Sequence, residues 1–347
     1  MNPIASVVQL ISEGLDPKEP KGSGPLTLVP LFGGVTAKEY AVGADAFADG
    51  TLTITEVDHD GDVTHLEAHN TGSLPVLLID GEHLEGAKQN RILNATALVG
   101  ANRTSTLPVA CVEQGRWHYE DEHEDGAGKF SLSADIAYSD LRSKNASVRA
   151  ANVRHSASRE VDQSQVWDEV GKLHDRLGPV SATGAIRDSF DHRRIELDAI
   201  KEALMQPEVG QTGVIACIGG RPVALDAFDS PETLSKLWPR LLSGYALDAV
   251  GNPADKVEET AVAGFLSRAA QAESTSHEGL GVGMDVVLTA PDVVGNALTW
   301  EEGVVHLALF ARNVAGDAPN EYRAQSIDRP SHRRARLTGS TGFLLEE

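Results

Sequence analysis

Residues 75–94 read Pro75-Val-Leu-Leu-Ile-Asp-Gly-Glu-His-Leu-Glu-Gly-Ala-Lys-Gln-Asn-Arg-Ile-Leu-Asn94. One apolar run ends at the turn-forming pair Asp80-Gly81 and a second begins at Ile92, a pattern typical of two paired strands. The interval between the two runs is crowded with polar side chains, namely Glu82, His83, Glu85, Lys88, Gln89, Asn90 and Arg91. The sequence therefore predicts that this interval either lies at the rim of a sheet or converges on a polar site.

Short runs rich in Val, Ile, Leu and Thr surround this stretch. They cover residues 26–30, 52–57, 63–68, 76–79, 92–99 and 106–112, with turn residues between them. Runs of this kind at short spacing predict an antiparallel, sandwich-like arrangement of strands. The N-terminal half is therefore expected to be β-rich.

From Ser143 the periodicity becomes helical. Helices are predicted over 162–177, capped by Asp162, over 185–205 with Ile195 facing inward, from Ser230 with a break or kink at Pro239, and over 255–273. Strands are predicted over 213–218, 222–228, 281–289, 293–300 and 304–310. The fold class is thus α+β, with a β-rich N-terminal half and a helical, mixed α/β C-terminal half that ends in strands.

This change of periodicity also predicts the domain organisation. Apolar residues at helical spacing predict an N-terminal helix, which with its linker covers residues 1–24. A β-rich domain follows over 25–142, and a mixed α/β domain over 143–311 is expected to pack on it. Residues 312–347 lack periodicity, carry a basic cluster, and are predicted to form a mobile tail.

Composition excludes several classes of function. The formal net charge of −21 disfavours polymeric nucleic acid and anionic membranes as partners, because both are negatively charged. The only two cysteines, Cys111 and Cys217, lie within apolar runs, so buried thiols are expected and a disulfide framework is excluded. The N-terminus lacks the pattern of a signal peptide, and no apolar run is long enough for a membrane helix. A cytoplasmic location is expected.

Two segments resemble a metal site and a nucleotide phosphate loop, but neither has the features that such a site requires. Residues 118–125 hold five carboxylates and two histidines, but no apolar spacing fixes them and Gly-Ala-Gly follows, so a solvated acidic loop without a metal is predicted. The run from Gly81 to Lys88 approaches a phosphate-binding loop, yet Lys88 does not directly follow the second glycine and no Ser or Thr comes after it.

Two clusters are candidates for a functional site. One spans Asp80 to Arg91, and the other is Glu113-Gln-Gly-Arg-Trp117 at the end of the sixth apolar run. Their mixture of carboxylate, amide, guanidinium and indole groups suits a polar ligand with a flat ring. Glu82 or Glu113 would be the general base of an enzyme, and Arg91 or Arg116 an anion clamp. The candidate ligand-binding residues are Lys88, Gln89, Asn90, Arg91, Gln114, Arg116 and Trp117. The alternative is a sheet rim whose ion pairs contribute less than about 1 kcal/mol each.

Four segments carry a resemblance to a known family. They are Pro75 to Arg91, Pro108-Val-Ala-Cys-Val-Glu-Gln-Gly-Arg-Trp117, Asp162-Gln-Ser-Gln-Val-Trp-Asp-Glu169, and Phe228-Asp-Ser-Pro-Glu with Leu237-Trp-Pro-Arg-Leu241. Together they resemble an uncharacterised prokaryotic family named for its association with ADP-ribosylglycohydrolases, rhodaneses and phosphatases. The resemblance runs from about residue 26 to 310 and implies a genomic neighbourhood in NAD and ADP-ribose metabolism. It implies no particular catalytic residue.

Three functions follow from these observations. The first is binding of an ADP-ribose-like or nucleotide ligand in NAD-linked metabolism. The second is hydrolysis of such a compound, and the third is a structural homo-oligomeric module without a ligand. The sequence specifies neither a cofactor, nor the ligand, nor the oligomeric state.

Overall fold

Strands dominate the first half of the chain and return at its end. The computed structural model describes residues 2–36, 38–57, 62–117, 129–156, 159 and 161–312. The strands are β1 (Asp16–Pro17), β2 (Lys21–Ser23), β3 (Leu26–Phe32), β4 (Ala41–Val42), β5 (Leu52–Glu56), β6 (His65–Asn70), β7 (Val76–Leu78), β8 (Glu82–Gly86), β9 (Arg91–Leu93), β10 (Ala97–Val99), β11 (Arg103–Cys111), β12 (Phe130–Ile136), β13 (Gln211–Ile218), β14 (Arg221–Phe228), β15 (Glu273–Glu278), β16 (Leu280–Gly281), β17 (Met284–Thr289), β18 (Val293–Trp300) and β19 (Gly303–Ala311).

Helices fill the middle of the chain. They are α1 (Pro3–Gln9), α2 (Gly43–Ala48), α3 (Ser139–Ser156), α4 (Gln163–Leu177), α5 (Ile186–His192), α6 (Arg194–Ala203), α7 (Pro231–Ala249) and α8 (Glu259–Ala270). A π-helical turn, Leu10–Gly14, continues α1. The predicted α+β class is confirmed.

The largest sheet combines strands from both ends of the chain. Its antiparallel order is β1-β3-β13-β14-β19-β18-β17-β15, with β2 also paired to β3. One face packs against α1 and α8, where Val7 and Phe265 join the apolar cluster. The other face packs against α3 and α7, where Ala146 and Leu241 belong to the main core. The period-two alternation of β-strands makes such two-sided burial possible.

Two smaller sheets are built from strands of the N-terminal half, joined by β16 from near the end of the chain. The six-stranded sheet has the order β12-β8-β9-β11-β6-β5, and the four-stranded sheet the order β16-β10-β7-β4. Apolar residues of both sheets, including Leu66, Leu84 and Val99, form a core of their own. The stretch from Pro75 to Asn94 thus supplies β7 to one sheet and β8 and β9 to the other.

Several details differ from the sequence-based expectation. Within the polar interval, Glu82–Gly86 forms a strand that none of the predicted apolar runs covers, and it pairs with both β9 and β12. The run 92–99 divides into β9 and β10, which belong to different sheets. The predicted helix 185–205 divides at Arg193 (φ −105°, ψ 15°), and the new helix leaves Ile195 85% exposed, not inward. Pro239 lies inside α7 without ending it.

Other expectations stand as follows. Both cysteines are buried and free, as predicted. The described residues up to Arg312 form one compact unit, and the boundary at residues 142–143 stays a prediction. The acidic segment 118–125 and residues 313–347 of the tail lie outside the described residues. Among the helices described, none is long and apolar enough to cross a membrane.

Candidate functional site

The two predicted segments meet in the structure. The Val112 amide donates to the Asn90 carbonyl at 3.1 Å. The Gln89 side chain donates to the Glu113 carbonyl at 2.8 Å, and the Asn90 amide donates to Glu113 Oε2 at 3.3 Å. Strand β11 ends at Cys111 and pairs with β9, so the residues that follow each strand are brought together.

Glu113 and Arg116 fasten this junction. Arg116 donates from Nε to Glu113 Oε2 at 2.8 Å, from Nη1 to the Ala87 carbonyl at 2.8 Å, and from Nη2 to Asn90 Oδ1 at 3.1 Å. Glu113 Oε1 accepts from Thr183 at 2.9 Å. Burial alone would raise the pKa of Glu113, but the hydrogen bond and charge of Arg116, together with the donors Thr183 and Asn90, outweigh it and hold that pKa below its ordinary value. In this state Glu113 is an ionised structural partner, and its predicted role as general base stays a prediction.

The loop between β8 and β9 is held in an unusual backbone conformation. Ala87 has a left-handed φ of 45°, and Gly86 has a φ of 124°. A Cβ at Gly86 would lie 2.7 Å from the Lys129 carbonyl oxygen, so only glycine fits there. Both arginines contact this loop, since Arg91 Nη1 donates to the Gln89 carbonyl at 3.0 Å. Backbone strain of this kind persists where surrounding contacts impose it, and it is frequent at ligand sites.

A second group of residues lies beside this loop, and we call Glu56, Lys88, Arg91 and Trp117 the Trp117 cluster. Trp117 is 46% exposed. Lys88 Nζ and Arg91 Cζ each lie 5.6 Å from the centroid of its ring. Both distances fall within the range of cation–π attraction, so an exposed aromatic face is held next to two positive charges. Gln114, on the same segment, is exposed.

Arg91 and Glu56 form the buried base of the Trp117 cluster. Arg91 is 0% exposed, and its Nη2 lies 3.8 Å from Glu56 Oε1, too far for a hydrogen bond. Within the described residues, Arg91 Nε and Nη2 have no hydrogen-bond partner, whereas the Lys88 backbone donates to the Glu56 carboxylate. Burial raises the pKa of Glu56, against the attraction of Arg91. Buried polar groups without partners are rare, and each calls for a physical explanation.

Glu82 and His83 are also buried, on strand β8. Glu82 Oε2 accepts from the Ile79 amide at 3.1 Å, whereas Oε1 has no hydrogen-bond partner in the described part and lies 3.8 Å from Arg240 Nη1. Burial raises the pKa of Glu82 to about 7. His83 is equally enclosed, and burial lowers its pKa. Of the predicted bases, Glu82 therefore has the pKa that general acid–base chemistry near neutral pH requires.

A buried network that sequence reasoning missed lies between the sheets, and we call it the Arg142 network. Its members are Asp80, Thr96, Arg142, Asp226, Tyr245 and His306, each buried. Arg142 donates to both carboxylates, to Asp80 Oδ2 at 3.2 Å and to Asp226 Oδ1 at 2.7 Å. The members come from distant parts of the chain, so no local motif could have indicated them.

His306 belongs to the Arg142 network through contacts of both its ring nitrogens. One ring nitrogen lies 3.0 Å from Asp226 Oδ1 and the other 2.9 Å from the Thr96 hydroxyl. Tyr245 also donates to Asp226. Burial alone would raise the pKa of Asp226, but Arg142 and His306 hold it well below its usual range. Every member is satisfied by another, which is the property of a network that joins elements.

No metal centre is evident in the part of the chain that the structure describes. There, no three His, Cys, Asp or Glu side chains are placed to hold a metal ion together. The acidic segment 118–125, for which a metal was weighed, is outside that part. The Trp117 cluster adjoins the junction of Glu113 and Arg116, whereas the charged neighbours of the buried Glu82 are Asp80, Arg142 and Arg240.

Fold and site define an α+β protein with a charged interior network and a half-exposed cationic–aromatic cluster at two strand ends. The family model described as the ARG and Rhodanese-Phosphatase-superfamily-associated Protein domain, ARPP-1, matches residues 14–310, and the chain belongs to this family. The resemblance carried by the four sequence segments is thereby confirmed. No curated protein and no solved structure was found to match the chain.

Proposed function

We propose that this protein binds an ADP-ribose-like or nucleotide ligand at the Trp117 cluster. The observation that carries the proposal is the pairing of an exposed indole ring with a buried guanidinium, two of whose three nitrogens have no hydrogen-bond partner among the described residues. Trp117 is 46% exposed, and beside it Arg91 has two guanidinium nitrogens without an acceptor in the described residues. A nucleotide supplies a flat base for the ring and oxyanions for the cation.

Each part of the cluster has a role in this proposal. The base stacks on the exposed face of Trp117, because aromatic stacking is tolerant of the base identity and contributes about 1–3 kcal/mol. Lys88 and Arg91 receive the phosphates. The Glu56 carboxylate, which the Lys88 backbone and the charge of Arg91 hold in place, accepts from a ribose hydroxyl. Because Arg91 is buried, the ligand reaches it by displacing the Trp117 ring.

The association of the family supports the same class of ligand. The name of the family associates the domain with ARG and with the rhodanese-phosphatase superfamily. Proteins that act near one another on one compound commonly share a ligand, so ADP-ribose is the first compound to test. The location of this function in NAD-linked metabolism is part of the proposal.

Ligand-induced thermal shift tests the proposal. Purified protein would be melted with ADP-ribose, ADP, AMP and ribose 5-phosphate. A ligand at a hundredfold excess over its dissociation constant stabilises the folded state by about 2.7 kcal/mol, which gives a clear shift. Lys88→Ala should reduce the shift, whereas Lys201→Ala, which removes a lysine paired with Asp198 on α6, should leave it unchanged. No shift with any compound would favour the structural homo-oligomeric alternative.

A hydrolase is the second candidate, and Glu82 is the observation that favours it. Its pKa of about 7 suits a residue that takes a proton from an attacking water. Turnover of the same compounds would be followed by chromatography of the products. Glu82→Gln should abolish turnover while ligand-induced stabilisation persists, whereas the exposed Glu202→Gln should retain both. If the ligand stabilises the wild-type protein but is not turned over, the hydrolase hypothesis is rejected.

A further inference from the structure

Arg149 is a buried guanidinium without a hydrogen-bond partner. It lies on α3 and is 1% exposed, yet its Nε, Nη1 and Nη2 have no acceptor among the described residues. Arg142, two turns earlier on the same helix, donates to Asp80 and Asp226. A buried charge without a partner is strongly unfavourable, so Arg149 differs from its neighbour in having capacity left for a ligand.

Asparagine side chains adjoin Arg149 on one side. Asn145 lies one turn before Arg149, and residues four apart on a helix are neighbours on one face. Asn145 Nδ2 is 3.4 Å from Asn94 Oδ1, which links α3 to the chain after β9. Asn94 is 2% exposed, and its Nδ2 has no acceptor in the described part of the chain. A free amide donor therefore lies on the Arg149 side of α3.

Asn296 of β18 lies on the face of the nine-stranded sheet that packs against α3. Val294 and Leu298, two residues away on either side, belong to the core that also contains Ala146 and Ala150 of α3. The alternation of a strand places Asn296 on that face, against which α3 packs. Asn296 is 1% exposed, and neither its Nδ2 nor its Oδ1 has a partner within the residues described.

We propose that Asn94, Arg149 and Asn296 form an enclosed oxyanion site between α3 and the nine-stranded sheet, and that its ligand is a phosphate group. The free groups and a phosphate are chemically complementary. The free groups are almost all donors, and the planar guanidinium matches a phosphate in a bidentate manner. No carboxylate of the described residues pairs with Arg149, so the ligand supplies the negative charge. The site shares no residue with the Trp117 cluster and does not depend on the proposed function.

The test compares wild type with Arg149→Met, which keeps most of the side-chain volume and removes the charge. Phosphate released by acid from freshly purified protein would be quantified first. After exhaustive dialysis, thermal shifts would be recorded with inorganic phosphate and, separately, with AMP, against sodium chloride of equal ionic strength. We expect wild type to be stabilised and Arg149→Met to bind at least about tenfold more weakly, as for loss of hydrogen bonds to a charged group. Arg268→Met, which removes a half-exposed arginine, should bind as wild type does.

The outcomes separate this site from a buried charge with only a structural role. Stabilisation by inorganic phosphate identifies the free ion as ligand, and stabilisation by AMP alone identifies a phosphate ester. If Arg149→Met does not fold, Asn296→Leu, which keeps the cation, decides through the loss of the same shift. Wild type without released phosphate and without a shift in either arm would overturn the proposal. A full wild-type shift in Arg149→Met would also overturn the proposal. If Arg149→Met does not fold, a full shift in Asn296→Leu would overturn it.

Discussion

At the scale of single residues, buried ionisable groups with different partners have different chemistry. Glu113 and Asp226 are held ionised by arginines, whereas Glu82 has one weakly paired oxygen and a raised pKa. The difference arises because burial opposes the charged form in each case and only close donors overcome it. Sequence reasoning listed Glu82 and Glu113 together, since a carboxylate in a sequence carries no information on its donors.

Glu82 gives a prediction for the pH dependence of stability. Its pKa in the folded protein, about 7, lies above the ordinary 4.5, so its contribution is present at low pH and is lost as the pH rises through about 7. The difference in unfolding free energy between Glu82→Gln and wild type should therefore shift by about 3 kcal/mol in favour of Glu82→Gln between about pH 4 and pH 8. Urea unfolding at a series of pH values measures this difference.

The control for this measurement is Glu202→Gln, which changes an exposed glutamate on α6. Its stability should follow that of wild type at every pH. Wild type and Glu82→Gln curves that stay parallel would show that Glu82 titrates at its ordinary value, and the case for Glu82 as an acid–base residue would fail.

At the scale of elements, α4 is joined to the strand that carries the site. Gln163, its first residue, accepts from the Cys111 amide at 2.8 Å and donates to the Cys111 carbonyl at 2.7 Å. Cys111 in turn pairs with Arg91 across β11 and β9. The side chain of Gln163 therefore acts as an extra strand partner at the end of β11.

Gln163→Ala should lower the unfolding free energy by about 1–3 kcal/mol, because two hydrogen bonds to buried backbone are lost. Gln165→Ala is the matched control, since Gln165 bonds only the exposed Asp162 and should cost less than about 0.5 kcal/mol. Chemical denaturation measures both. Equal costs for the two variants would contradict the role assigned to Gln163.

Sequence patterns predicted some of the secondary-structure elements and missed others. The apolar runs predicted the strands of the first half, and the two polar clusters were correctly expected to adjoin strands that could bring them together. Strand β8 was missed because Glu82 and His83 are polar yet buried, which removes the usual signal of alternation. The break at Arg193 was missed because the buried residues Phe190, Leu197 and Ile200 keep a helical spacing across it, and Ile195 does not belong to that face.

At the scale of the whole molecule, the Arg142 network connects elements distant in sequence. Asp80 follows β7 of the four-stranded sheet, Asp226 belongs to β14 of the nine-stranded sheet, and Arg142 on α3 binds both. Such a network depends on the complete fold, so nothing in the local sequence could predict it, and the asparagines around Arg149 escaped notice for the same reason.

Asp226→Asn tests the importance of this network for stability. Removing one partner of a buried ion pair leaves Arg142 with reduced compensation, and we expect a loss of about 3–5 kcal/mol. Because the pKa of Asp226 is depressed, its contribution is present above the ordinary pKa and is lost as the pH falls. Unfolding in urea at neutral pH measures the loss, and a variant as stable as wild type would show that the network is dispensable.

The central claim, that a nucleotide-like ligand binds at the Trp117 cluster, is tested most directly by tryptophan fluorescence during titration with ADP-ribose. Trp117 is one of four tryptophans and is 46% exposed, so stacking of a base on its ring should change its emission. We predict saturable quenching in wild type, no signal in Trp117→Phe, and at least about tenfold weaker binding in the charge-neutral pair Glu56→Gln with Arg91→Met. Quenching that persists unchanged in Trp117→Phe, or no saturation at millimolar ADP-ribose in wild type, would contradict the claim.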